Sequence, residues 1–470
     1  MKKRIAAEWE PALGVLVAWP PLIPKKLFKE FNSDTVLYIM VEDEEVKDDA
    51  VRTFEKWELN LEKIKFIFTP SRNGKSKYGA YWVRDWGPFA VFNEDKSMKL
   101  VSGRFCSTPA TFYGNPSELF EVDDINVGSK HTPLDKPTGP ETYMPANIAH
   151  YFKQHNEIYD FAFIGGNVLT DGLDMLVSSS ILFEENKQMN TVSPEEYFQR
   201  VAKSTVMNTY AVTDQYEDFG IQHVDCIMKV VDEDTFLIAE PPKDHSYYNR
   251  IESIIDNTIK KIRNFYGKPY NIVRYKTNRY SGEHLAAYSN SLILNKTVYV
   301  PMFGIEEDKA ALETWAQVLP GYVIKGIEFV VSDEPETQEG MFYPEIGWDA
   351  GDALHCRTRA VWDPDMLFIS IDKLSPKTKS GQNRIESIVV DYSGHGLEEG
   401  SAKLMWREKG TDTWNETPLK PTSVHDRFDA CIDLKKGRKY EYYVTASNRA
   451  GTLASRPATA PVGFYTTEAE

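Results

Sequence analysis

Short apolar runs, each closed by polar or turn-forming residues, recur through residues 1–360. Residues 14–19 form the first, ended by Pro20, and read as a buried strand. Residues 36–41 and 65–68 repeat the pattern, and 44–61 between them carry helical spacing with charged faces. Further strands are predicted at 89–92, 161–164, 175–183, 226–231, 235–239, 291–300 and 323–331, with helices at 194–203, 248–266 and 309–319. Strands interleaved with helices indicate an α/β or α+β body. The spacing of the strands is irregular, and no internal repeat is visible in the sequence. Residues 106–145 differ: Pro, Gly, Asn, Asp and Ser dominate and periodicity is absent. A loop of that length is expected to be the rim or lid of a site, or else a surface insertion.

The texture changes after Asp363. Residues 366–371, 385–391, 402–407, 429–434 and 440–446 alternate in polarity between Gly, Pro and Asn turns, the pattern of a small β-sandwich that needs no helix. The expected division is therefore a first domain over 1–369 and a second over 370–470. A chain of 470 residues also exceeds what one hydrophobic core usually supports.

The formal charge of −16, without a basic stripe, argues against a nucleic-acid partner. A negative field modestly favours cationic ligands. Cys106, Cys226, Cys356 and Cys431 lie far apart, which suits neither a structural zinc site nor a disulfide framework. No window has the ~18 apolar residues that a membrane helix needs. Met1-Lys2-Lys3-Arg4 begins like a signal peptide, but Glu8, Glu10 and Pro11 replace the apolar segment. The expected compartment is cytoplasmic, or secreted or periplasmic if a signal was removed.

Candidate chemistry centres on Asp352-Ala353-Leu354-His355-Cys356-Arg357-Thr358, approached through the turn-rich residues 347–351. A cysteine on such a loop is expected to be half exposed, as a thiolate nucleophile must be accessible. Four other polar clusters adjoin predicted strands: Trp82-Val83-Arg84-Asp85, Gly165-Gly166-Asn167 with Asp171, His223-Val224-Asp225, and Tyr288-Ser289-Asn290. His223 and Asp225, two residues apart, would share one face of an extended strand. Singly, each cluster has an ordinary structural explanation. Together, two carboxylates, a histidine and a cysteine suit attack on a planar cation, because a guanidinium presents donors that carboxylates match bidentately. A soft thiolate can attack its carbon, and a histidine can protonate departing ammonia and then activate water.

In these strings the chain resembles the guanidino-group-modifying superfamily, specifically the bacterial Porphyromonas-type peptidylarginine deiminases. The resemblance implies a pseudo-fivefold α/β propeller followed by an immunoglobulin-like β-sandwich. It further implies Cys356 as nucleophile, His223 as general acid and base, and Asp85 and Asp225 as the guanidinium clamp. Asn290 would support the catalytic group. Trp82, Gly166 and Asn167 would line the substrate site, and no metal or organic cofactor is implied. Where that type carries an Arg-Pro-Arg-Pro stretch that grips a substrate carboxylate, this chain has the single Arg104. The expected substrate is an arginine-containing peptide or a small guanidino compound. The expected activity is hydrolysis of peptidyl or C-terminal arginine to citrulline and ammonia through a covalent thiouronium. Agmatine or free-arginine deimination and a non-catalytic binding role are the alternatives. Oligomeric state is not legible.

Overall fold

The computed structural model describes residues 2–69, 81–105, 144–188, 193–205, 207–217, 221–329, 347–348 and 352–470. The expected rim at 106–145 lies almost wholly outside the described residues, as do Cys106 and most of the approach at 347–351. Met144 and Pro145 open a helix, Met144–Tyr151.

Beside a two-stranded hairpin of Arg279–Ser281 and His284–Leu285, five small sheets of the first part repeat one order: an inner strand runs antiparallel to a second, which pairs in parallel with a third. In the first sheet these are Arg359–Trp362, Ala12–Ala18 and Val36–Val41, with Ile64–Phe68 added outside. In the second they are Phe89–Phe92, Met98–Arg104 and His155–Ala162. The third has Leu169–Thr170, Met175–Ser179 and Thr209–Thr213. The fourth has Met228–Asp232, Thr235–Glu240 and Asn271–Lys276, and the fifth Leu292–Leu294, Thr297–Met302 and Val323–Glu328. Parallel neighbours cannot be joined by a tight turn. Each of these second strands accordingly reaches its third through a helix, among them Lys25–Asp34, Tyr248–Asn257 and Glu307–Val318. No helix among the described residues is long and apolar enough to cross a membrane.

Three predicted elements are corrected. The strand expected at 291–300 is two strands in a hairpin, with Leu294 opposite Thr297. Asn295 makes the turn at a positive φ of 54°, a conformation asparagine tolerates. The strand expected at 175–183 stops at Ser179, where its parallel partner also ends at Thr213, and the chain turns into the helix Ile181–Gln188. The helix expected over 248–266 ends at Asn257; Gly267, at φ 76°, then turns the chain so that Arg263 bridges Pro269.

Residues 367–470 contain strands and no α-helix. One sheet runs Leu367–Ile371, Gly381–Asp391, Arg427–Leu434, Lys420–Pro421; the other runs Lys377–Thr378, Tyr465–Ala469, Lys439–Ser447, Lys403–Glu408, Asn415–Pro418. Ile369, Val389, Leu404, Ile432 and Val444 fill the core between them. By pairing, the strand Leu367–Ile371 belongs to this part; Phe368 nevertheless packs with Leu16 and Trp362 of the first.

Candidate functional site

All five inner strands start just after one of the polar clusters. The helix Val83–Trp86 precedes Phe89, and the 3-10 turn Gly165–Asn167 precedes Leu169. The 3-10 turn Val224–Cys226 precedes Met228, Asn290 precedes Leu292, and Asp352–Arg357 precedes Arg359. His223 therefore caps a helical turn that contains Asp225, correcting the extended strand expected there. The tight turn still brings the two side chains to one place.

That place is marked by Gly166. Its N–H donates to Asp85 Oδ1 at 3.0 Å. A Cβ on Gly166 would lie 2.6 Å from Asp85 Oδ1, 2.8 Å from His223 Nδ1 and 3.2 Å from Asp225 Oδ2, so three polar atoms surround the space its missing side chain leaves. Cys356 Sγ lies 3.9 Å from Asp225 Oδ2 and accepts a hydrogen bond from Asn290 Nδ2 at 3.2 Å. The Asn290 Oδ1 accepts the His355 and Cys356 N–H groups at 2.9 and 3.3 Å, which holds the cysteine loop from its other side.

Cys356 is 1% exposed, not half exposed as expected. The loop packs inward because the Arg84 N–H donates to the Cys356 carbonyl and the Arg357 side chain is anchored on Asp352 through two ion-pair contacts of 3.0 and 3.1 Å. Trp82 Nε1 donates to the same Asp352 carboxylate at 2.9 Å.

The charge states follow from burial and neighbours. Burial, with the charges of Asp225 and Asp352, pushes Asp85 up to about 7 against the pull of His223. Burial alone would lower His223, but its hydrogen bond to Glu185 and the charges of Asp85, Glu185 and Asp225 bring it to about 9. Burial would raise Asp225; the His355 hydrogen bond and nearby positive charge hold it below its ordinary value. Burial and three surrounding carboxylates push the Cys356 thiol well above its ordinary value. The arrangement is thus a set of carboxylates around a thiol, suited to a cation.

Asn167 stands beside this point with its amide engaged: Oδ1 accepts from Ser179 N and Oγ, and Nδ2 donates to the Ser179 carbonyl. Asp171 lies apart, gathering the N–H groups of Leu173, Asp174 and Met175. Arg104 ends the strand Met98–Arg104, buried and paired with Ala162, next to the undescribed 106–143. Glu185, 3.4 Å from His223 Nε2, escapes sequence reading because a glutamate within a helix resembles any surface charge. Glu8 escapes it too, and His355, though it stands in the cysteine string, has contacts there that only the packing reveals. Among the described residues no group of three or more His, Cys, Asp or Glu is placed to hold a metal ion.

A family description of Porphyromonas-type peptidyl-arginine deiminases matches residues 4–332, ending before the Asp352–Thr358 loop. Among solved structures, the chain is similar to a Porphyromonas gingivalis protein provisionally described as an arginine deiminase, at 18% identity and a TM-score of 0.57, covering 76% of this chain and 98% of that one. It is similar to the agmatine deiminase of Enterococcus faecalis at 17% identity and a TM-score of 0.56, covering 76% and 95%. The C. jejuni agmatine deiminase gives 13% identity and a TM-score of 0.52, covering 77% and 96%. These likenesses show a shared mixed α/β deiminase fold.

Proposed function

The chain belongs to the Porphyromonas-type peptidyl-arginine deiminase family, which acts on guanidino groups, and on that premise we propose that it hydrolyses peptidyl or C-terminal arginine to citrulline and ammonia. The observation that carries this reading is the convergence of Asp85, His223 and Asp225 on Gly166, with the Cys356 sulfur against Asp225.

In this reading Asp85 and Asp225 accept the guanidinium N–H groups bidentately. The acids that keep Cys356 a thiol in the free protein favour the incoming cation, and its charge in turn lowers the cost of a thiolate, the thiol proton leaving to solvent as the cation binds. The thiolate sulfur bonds to the guanidinium carbon, and His223, protonated at neutral pH, gives its proton to the departing nitrogen. The C–N bond breaks, releasing ammonia and leaving a thiouronium. His223, now neutral, takes a proton from water. The hydroxide adds to the same carbon, and collapse breaks the C–S bond, returning the thiolate and, as the added hydroxyl loses its proton to solvent, a neutral ureido product. Asn290 steadies the sulfur throughout. Trp82 lines the entrance, and Arg104 is the candidate grip on a substrate carboxylate.

We read the five repeated units as a pseudo-fivefold α/β propeller with the site at its hub. Residues 367–470 then form an immunoglobulin-like sandwich, and the division falls between Met366 and Leu367. Ammonia release from benzoyl-arginine amide, a peptide ending in arginine, free arginine and agmatine tests the function. Turnover of the first two, lost in Cys356→Ala, is expected. Turnover of agmatine or free arginine alone replaces the substrate assignment, and no turnover of any overturns the function.

A further inference from the structure

One carboxylate touches four of the five sheet units. Glu8 Oε1 accepts the Ile293 N–H at 2.9 Å and pairs with Lys229 Nζ at 2.8 Å. Glu8 Oε2 lies 3.2 Å from Arg84 Nη2 and 2.5 Å from His355 Nε2. The other ring nitrogen, His355 Nδ1, lies 2.7 Å from Asp225 Oδ2. His355 is 1% exposed and Asp225 fully buried, so neither contact is diluted by bulk water. A cavity of about 30 Å³, lined by Glu8, Arg84, Lys229 and Thr170, adjoins the ring.

Counting donors constrains this chain. An ionised carboxylate only accepts hydrogen bonds, and a neutral imidazole has a single N–H. Two short contacts from one ring to two carboxylates therefore require two protons among the three groups. With none or one, two acceptors would face each other in a buried site, where an unmet polar contact is costly. The charged groups around the ring are Glu8, Asp225, Arg84 and Lys229. Burial, with Arg84 and Lys229, pulls the ring below its ordinary value while Glu8 and Asp225 pull the other way; it is the two short contacts, one at each ring nitrogen, that call for two protons.

We propose that Glu8 and His355 are positioning residues forming a two-proton relay that fixes the orientation and charge of Asp225. The claim rests on the guanidinium clamp proposed above. Asp225 then meets the substrate with one oxygen already anchored, and the anchor ends on a carboxylate neutralised by Lys229 and Arg84. Neither residue touches the reacting atoms.

The relay is tested first without catalysis, by NMR of wild-type protein with ¹⁵N-labelled histidine, using His355→Gln for assignment. Two strongly hydrogen-bonded ring protons that persist across neutral pH are expected. A ring with one N–H, or one that titrates freely in that range, overturns the relay. Kinetics on benzoyl-arginine amide follow: Glu8→Gln, whose amide oxygen can still accept from Nε2 but carries no charge, is expected to raise KM roughly tenfold with a smaller change in kcat. Unchanged KM in folded Glu8→Gln removes the positioning role. A wild type that releases no ammonia from any guanidino substrate ends the proposed function, while the NMR result still decides the relay.

Discussion

At the scale of single residues, Gly166 is where the geometry is least forgiving. A methyl group there would stand inside contact distance of both Asp85 and His223, and those atoms are the ends of buried, mutually paired groups. Gly166→Ala is expected to lower kcat/KM at least about a hundredfold by displacing the clamp, with little change in melting temperature; near-normal activity would place the substrate elsewhere. The pH dependence follows from two residues. Asp85 gains its charge as pH rises through about 7, so kcat/KM should rise there. His223 loses its proton as pH rises through about 9, so the rate should fall there. Glu185→Gln removes a charge that favours the protonated ring, leaving only a neutral acceptor for its Nε2–H. It should move the alkaline limb to lower pH and leave the acid limb nearly in place. An unmoved alkaline limb would assign it to another group. Asp85, His223, Asp225, Asn290 and Cys356, which the structure brings together, could be picked out as candidates because each sits in a polar string against an apolar strand. Glu8, Glu185 and the contacts of His355 could not: the partners are far away in sequence, and no local pattern marks a residue that matters only through a contact at |i−j| of 38 or 347.

At the scale of elements, the site depends on how short turns are held at the strand starts. The helix Val83–Trp86 has four residues, too few to be stable by itself. Arg359 supports it: Nη1 donates to the Arg84 carbonyl at 2.6 Å and Nε to the Pro88 carbonyl at 2.8 Å, while the guanidinium lies over the Phe89 ring. Gly87 and Gly165 make room for it, since a Cβ on either would collide with the Arg359 side chain. A lysine presents one compact charge and cannot span both carbonyls. Arg359→Lys should cost about 2–3 kcal/mol of stability and tilt Asp85, lowering kcat/KM. Denaturant melts and steady-state rates check it, and retention of both would show that the turn holds itself. Strand positions were largely readable from apolar runs, as 36–41 and 89–92 show. The repeated order of the sheets was not, because the inner strands range from two residues at Leu169–Thr170 to five at Met228–Asp232, and their connections differ in kind. Topology recurs here through pairing partners, which a one-dimensional pattern does not record.

At the scale of the whole molecule, the acidic hairpin turn Asp232-Glu233-Asp234 of the fourth sheet is buried under residues 367–470. Arg456 forms a forked pair with Glu233, its Nε lying 3.1 and 3.0 Å from the two oxygens. Glu233 also accepts the Ile371 N–H at 3.1 Å, and Lys373 reaches Asp232 at 2.6 Å and Asp234 at 2.5 Å. Three carboxylates in one turn are tolerable only with these cations in place, since an uncompensated buried charge costs far more than an exposed one. The two parts of the chain should therefore unfold together in a single transition. Arg456→Met leaves Glu233 without its fork and should cost about 3–5 kcal/mol. The double change Arg456→Met with Glu233→Met removes both charges and should recover much of that loss, because a desolvated ion pair and a packed apolar pair are often close in net stability. Urea melts of the wild type, both single variants and the double variant close the cycle. A double variant as unstable as the sum of the singles would mean that the pair is not what joins the sandwich to the catalytic part. Recovery would mean that each single variant loses stability because it leaves one buried charge without its partner, and that the Arg456–Glu233 contact joins the sandwich to the first part as a matched pair and not as two independent charges.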